Sequence, residues 1–474
     1  MTSIAPALRA AAAAALLVTA LPLAAQDRPD RPPRTRWETQ ARAMLEELTE
    51  INTTHSVGNT MTAAEAMAKH MRAAGFPAED VVLIENAPKK GNLIVRYRGR
   101  NTGRKPVLLL SHLDVVEADP KDWTLPPFEF IEKGGVFYGR GVADDKDEGA
   151  IHLTILLRMK AEGVVPDRDI IVALTADEEG GPANGVDWIL KNRPELLRAE
   201  FAFNEGGGGR MEEGKKVSND VQASEKKVAN FTLEATNPGG HSSQPRPDNA
   251  IYQLAGALDR LGKYHFPVRL NEVTREYFRR QAAIVGGETG AAMRRLVEDE
   301  RDSLAAKVIA KDPANNSRMR TTCVATMLEG GHAMNALPQR ARATVNCRIL
   351  PDETTEQVQR RIVAALADTG VKVTVQRGAA DSPPSPLTNE LLTFIEQTTQ
   401  EMWPGMPVVP TMSTGATDSR FLRNFGIPVY GISGLFYESP NAHGMNEHIE
   451  AQAFYDGLEF MYRLVRKITA GPGM

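Results

Sequence analysis

Acids and histidines recur in this 474-residue chain directly after short apolar runs, a placement that suits metal-assisted hydrolysis. Pro106–Ser111 leads into His112-Leu-Asp114. A histidine and an aspartate two apart suit a metal ligand and the carboxylate that orients it, although a strand-end histidine alone is more often structural. Next comes Tyr138-Gly-Arg-Gly-Val-Ala-Asp144-Asp145-Lys146, whose glycines at 139 and 141 let the backbone bend closely. Adjacent aspartates before a helix suit a cap. Asp144, with two oxygens, also suits a bridge between two cations. Asp169–Thr175 then runs into Asp177-Glu178-Glu179-Gly180. Three acids at the end of a buried strand repel one another unless a solvated loop or cations relieve them. A two-metal amidase needs a ligand beside a free carboxylate that accepts a proton from water. Glu179 and Glu178 offer that pair. Phe201–Asn204 ends at Glu205 and four glycines, and Ser439–Glu447 carries His443 in a turn-rich loop.

Each stretch has a bland reading alone. Together they place His112, Asp144, Glu179, Glu205 and His443 at loop ends. Nitrogen and carboxylate donors without thiolate suit Zn²⁺, with Mn²⁺ or Co²⁺ as alternatives. Two ions about 3.5 Å apart need around five protein ligands with one shared, which is the set present.

The elements that must position these residues read as an α/β chain. Helical periodicity covers 38–51 and 60–74, the second closing at Gly75. Strands are predicted at Gly91–Tyr97, Pro106–Ser111, Asp169–Thr175 and Phe201–Asn204, with a helix over 147–162. That alternation indicates a mostly parallel sheet with helices on both faces. The texture changes near Glu225. Val228–Thr236 alternates like a half-exposed strand, and a helix follows at 248–262. A charged helical stretch covers 272–310. Strands Thr321–Leu328 and Arg342–Leu350, a helix at 354–368 and a strand at 371–377 complete an α+β block. Residues 378–387 read as a linker. A helix at 388–402 and a strand at Val429–Ile432 then resume the first pattern. The simplest organisation is one domain, 26–225 and 381–474, interrupted by another at 226–380.

Composition excludes little. The chain is 42% apolar and 24% charged with a net charge of −4, and it has no basic, aromatic-studded surface for nucleic acid. Residues 1–25 carry one charge, Arg9, then the apolar run Ala10–Ala20 and small residues ending at Ala25. This predicts a signal peptide cleaved after Ala20 or Ala25, and hence a periplasmic or secreted protein. The alternative is an uncleaved anchor, but the run falls short of the roughly 20 residues a span needs. No stable membrane span is expected after cleavage. The two cysteines, Cys323 and Cys347, lie on neighbouring predicted strands, where a disulfide and a buried thiol pair are equally compatible.

The order and spacing of these motifs resemble the M20 metallopeptidases, which include glutamate carboxypeptidase, carnosinase-like dipeptidases, aminoacylases and desuccinylases. The resemblance covers nearly the whole chain after residue 25. It rests on Ser111-His-Leu-Asp114, Gly139-Arg-Gly-Val-Ala-Asp-Asp-Lys146, Asp177-Glu-Glu-Gly180, Gly239-Gly-His-Ser-Ser243, Asn335-Ala-Leu-Pro338, Gly415-Ala-Thr-Asp-Ser-Arg420 and His443-Gly-Met-Asn-Glu447. It implies that Asp144 bridges the ions and that its peptide bond to Asp145 is cis. It implies that His112 and Glu205 hold one ion, Glu179 and His443 the other. Asp114 would orient His112, and Glu178 would be the general base. The inserted block would be a lid that dimerises in many members. His241, from the same chain or a second copy, would stabilise the oxyanion. Arg348 would clamp the substrate carboxylate, and Asn335 and Gly415, in the Ser413–Ala416 loop, would line the pocket. Glu205 stands where some branches have Asp, and the 272–310 stretch is longer than in the simplest lids. The expected activity is hydrolysis of short peptides with a free carboxylate. Deacylation of N-acyl amino acids is the alternative, and an exported, non-catalytic peptide-binding protein is the rival from another class.

Overall fold

The computed structural model describes residues 34–101 and 103–471, so the expected leader lies outside the described residues. Two sheets organise the chain. The larger has nine strands. Its central run is parallel: Ile170–Thr175, Val107–His112, Phe201–Asn204 and Val429–Gly431 lie side by side. Antiparallel pairs flank that run, with Lys90–Tyr97 and Val81–Ala87 on one side. On the other side lies Lys215–Glu225, antiparallel to the run and to Gly208–Glu212 but parallel to Val408–Ser413.

The continuous apolar runs are explained by burial on both faces. Val107 and Leu109 pack into one core with the helices Arg36–Glu50, Thr60–Ala73, Lys146–Ala161 and Ala451–Ile468. Leu108 and Leu110, pointing the opposite way, pack into another with Gly185–Asn192 and Ser419–Asn424. Strand Lys215–Glu225 shows no apolar periodicity. It is nevertheless buried, with Asn219 held through its amide by Thr399 Oγ1 at 3.0 Å.

The chain leaves this sheet at Glu225 and enters the smaller one at Lys227. The smaller sheet is antiparallel, in the order Thr322–Gly330, Arg340–Ile349, Lys227–Thr236, Val371–Arg377. Phe231, Leu233 and Ala235 point inward onto the helices Ala250–Lys263 and Thr355–Leu366. Cys323 and Cys347 are register partners and form a disulfide. The single helical stretch expected over 272–310 is three helices, Glu272–Val285, Gly287–Glu298 and Ser303–Ile309, followed by Pro313–Met319. Gly286, at φ 64°, breaks the first from the second. These helices bury Tyr277, Phe278, Met293 and Leu296 with Val409 of the large sheet. They are therefore joined to the larger sheet rather than to the smaller sheet's core. Among the described residues, no helix is long and apolar enough to cross a membrane.

Candidate metal centre

Three adjacent parallel strands end at one place. Val107–His112 delivers His112, Ile170–Thr175 leads to Asp177–Glu179, and Phe201–Asn204 leads to Glu205. Open α/β sheets bind ligands at such carboxyl ends. Asp144 arrives on the loop before Lys146–Ala161, through a cis bond to Asp145. His443 arrives from the loop before His448–Glu450.

Asp144 sits between the two imidazoles. Its Oδ1 lies 3.1 Å from His112 Nε2 and its Oδ2 lies 3.1 Å from His443 Nε2. Glu205 Oε1 is 4.0 Å from His112 Nε2, and Glu179 Oε1 is 2.8 Å from His443 Nε2. Two donor groups result, His112 with Asp144 and Glu205, and Asp144 with Glu179 and His443. Within each, the donor atoms lie within 4.8 Å of one another.

The electrostatics suit cations. Among the described residues, no lysine or arginine pairs with Asp144, Glu178, Glu179 or Glu205. Burial, then repulsion from Glu178, pushes the Glu205 carboxyl well above its ordinary range. Hydrogen bonds donated to the Asp144 and Glu179 carboxylates push the exposed His443 imidazole up to about 10. Without another positive charge, the acids thus draw protons onto the very nitrogens that would serve as donors. Two imidazoles, three carboxylates and no thiolate fit a pair of borderline or hard divalent ions.

Neighbouring groups hold the donors. His112 Nδ1 donates to the backbone oxygen of Asp114 at 2.9 Å, which leaves Nε2 facing the acids. The Asp114 carboxylate, 3.8 Å from His112 Nδ1, also accepts the N–H groups of Glu178 and Glu179, both at 3.0 Å. Glu178 lies beside the cluster, and its carboxylate has no hydrogen bond or ion pair among the described residues. Burial first, then the charges of Asp418, Glu179 and Asp114, outweigh His112 and push it up to about 8.

The other expected residues lie elsewhere. His241 is exposed on Gly240–His241, which pairs with Ala336–Leu337, and its Nδ1 accepts from the Ser243 N–H at 3.1 Å. Asn335 meets the same turn, its backbone oxygen accepting from Ser242 N at 3.0 Å. Arg348 reaches from the smaller sheet to the Thr414 carbonyl at 3.4 Å, next to Gly415. None of these four touches the donor cluster.

Residues 108–467 match the peptidase family M20/M25/M40. The chain belongs to that family. It is 29% identical over 382 residues to the human N-fatty-acyl-amino acid synthase/hydrolase PM20D1, covering 78% of this chain and 75% of the relative. Its fold is similar to the M20 family metallo-carboxypeptidase Sso-CP2 from Sulfolobus solfataricus, with TM-score 0.67 and 18% identity. That match covers 90% of this chain and 98% of the other. Human carnosine dipeptidase 1 superposes with TM-score 0.62 at 15% identity, over 92% of this chain and 100% of that one. This M20 chain is a metal-dependent hydrolase of amide bonds.

The sequence motifs contain residues that shape this M20 site but carry no role legible in the sequence. Glu447, four residues beyond His443, is fully buried. It accepts from Arg140 Nη1 at 2.6 Å and from the N–H groups of Gly141 and Ala143 at 3.1 and 2.9 Å. It thereby clamps the Asp144 loop to the His443 loop. Asn184 similarly joins the Asp177 carbonyl, at 3.0 Å, to the buried Asp418 carboxylate, at 2.6 Å. The acid at spacing four was the visible signal for Glu447. Nothing local marks Asn184.

Proposed function

We propose that this protein is exported and cleaves amide bonds of short peptides with a free carboxylate, in dipeptidase or carboxypeptidase fashion, using two divalent ions. The observation that carries the reading is Asp144 lying between two donor groups, with the unpaired Glu178 carboxylate beside them. His112, Glu205 and Asp144 would hold one ion, and Glu179, His443 and Asp144 the other. Zinc suits this set, with cobalt or manganese as alternatives. When bound, the ions supply Lewis acidity, polarising the carbonyl and making water nucleophilic near neutral pH.

Glu178 takes the proton from the attacking water and passes it to the leaving amine. A carboxylate raised by its surroundings is matched to both transfers. Asp114 keeps Glu178 and Glu179 in register through their backbone N–H groups. Arg348 clamps the substrate carboxylate beside Gly415, and Asn335 lines the approach. His241 donates to the developing oxyanion. Its exposure means it arrives by closure of the smaller sheet or from a second copy. The edge strand Thr322–Gly330, with Val324, Met327 and Leu328 exposed, supports a homodimer through this block.

A second reading, N-acyl-amino-acid deacylase, is favoured by the relation to PM20D1. Both readings are tested by incubating the metal-loaded enzyme with mixed dipeptides and N-acyl amino acids and identifying products by mass spectrometry. Hydrolysis confined to dipeptides selects the first, and hydrolysis confined to acyl substrates selects the second. Turnover of neither class at full metal occupancy defeats both.

A further inference from the structure

A cavity of about 510 Å³ begins at Asp144 and Glu205 and runs along Gly206–Gly209. Thr411–Thr414 forms one side, and Arg210, Asp220 and Arg318 line it as well. Resting on the reading of this centre as a peptide-bond hydrolase, we propose that Arg318 forms a second anion subsite, which receives a carboxylate of the substrate other than the one held by Arg348.

The two guanidinium groups in this cavity differ. Arg210 is satisfied: it donates to Ser218 Oγ at 3.1 Å, Glu212 Oε1 at 2.6 Å and Gln281 Oε1 at 3.0 Å. Arg318 makes no hydrogen bond or ion pair among the described residues, and its Nε is buried without a partner. It packs over the Tyr277 ring, 4.8 Å from the guanidinium carbon, and its charge acts on the Asp220 carboxylate that lines the same cavity. A half-buried guanidinium with open donors beside a reaction centre is suited to a bidentate anion.

Its mount is rigid. Arg318 lies on Pro313–Met319, after the helices that pack against Val409. Lys226 Nζ holds the same segment by donating to Ser317 Oγ at 3.1 Å and to the Arg320 carbonyl at 2.7 Å. Tyr277, under the guanidinium, is fixed by its hydroxyl donating to Asn315 Oδ1 at 2.9 Å. The helical insertion is thus a wall of the substrate cavity. Thr414, whose carbonyl accepts from Arg348 at 3.4 Å, lines the cavity too, which places Arg348 next to one of its walls. A substrate with two carboxylates meets both. A long apolar acyl chain would instead strip water from Arg318 and Asp220 with nothing in exchange.

The test compares isosteric dipeptides, Glu-Ala against Gln-Ala and Ala-Glu against Ala-Gln, on metal-loaded wild type and Arg318→Gln. Wild type is expected to prefer the glutamate member of one pair by about tenfold in kcat/KM. Arg318→Gln is expected to erase that preference while leaving the glutamine members unchanged. In parallel, glutarate is expected to raise the melting temperature of wild type more than butyrate does, and that excess is expected to vanish in Arg318→Gln. No charge preference in either pair, or an equal loss on both members in the variant, overturns the subsite. If no dipeptide is cleaved by either protein, the peptidase reading fails. The glutarate comparison then still decides the subsite, because it needs no turnover.

Discussion

Glu178 and Glu179 are neighbours in the chain with opposite surroundings. Glu179 meets His443 at 2.8 Å, while the Glu178 carboxylate is unpaired and pushed up to about 8 by burial. Glu178→Gln is expected to lower kcat by roughly 10²–10⁴, the range for a lost acid–base group. Metal content measured on the same sample should stay at the wild-type level. Near wild-type turnover at that occupancy would remove Glu178 from the mechanism. Asp144 belongs to both donor groups, whereas His443 belongs to one. Elemental analysis should therefore find both ions lost in Asp144→Ala and the His112-side ion retained in His443→Ala. Equal retention in the two variants would contradict the sharing. The residue types were legible because five such acids and histidines recur after separate apolar runs, although each alone has an ordinary structural use. The structure adds a second job for Asp114, whose backbone oxygen accepts from His112 while its carboxylate also holds the Glu178–Glu179 loop.

Two loops without regular structure carry Asp144 and His443, so their positions depend on the groups that pin them. Buried Glu447 pairs with buried Arg140 and accepts two backbone N–H groups. Glu447→Ala leaves Arg140 uncompensated and is expected to destabilise the fold by about 3–5 kcal/mol. Urea unfolding measures this, and an unchanged midpoint would disprove the clamp. The disulfide between Cys323 and Cys347 closes a short loop between an edge strand and its neighbour. Replacing both cysteines with serine is expected to cost about 2–4 kcal/mol, read as a lower melting temperature under non-reducing conditions. Strands written as continuous apolar runs, such as Ile170–Thr175 and Val107–His112, were predictable because both of their faces are buried. Strand Lys215–Glu225 was not, because Ser218, Asn219, Gln222, Ser224 and Glu225 are buried polar residues among few apolar ones, and Asn219 finds its partner in a distant segment.

The chain passes between the two sheets at Lys226, which is buried against Arg320 and Ser317. Burial first, then the nearby Arg348 charge, lowers its ammonium to about 7, against a weaker opposing effect of Glu353. The unfolded chain therefore binds more protons than the folded one above pH 7, so this group adds stability as pH rises from there toward the ordinary lysine range. Lys226→Met should flatten that rise in melting temperature, and an unaltered slope would show that Lys226 does not govern it. The N-terminal residues bear on the molecule's location. If the leader works as proposed, the exported protein should begin at Leu21 or Gln26 by N-terminal sequencing, and an uncleaved start would refute it.

The sequence by itself determined the chemistry available: which residues could bind cations, which strands are buried, and that an α+β block interrupts an α/β one. These are local properties, written in residue type and in periods of two and 3.6. Tertiary structure alone decided the rest. It brought Asp144 between His112 and His443, chose Glu447 and Asn184 as fasteners, and joined the two cysteines. It also packed the helices after Asn271 against the larger sheet rather than on the smaller one. Those outcomes depend on contacts between segments tens to hundreds of residues apart, whose partners no local pattern specifies.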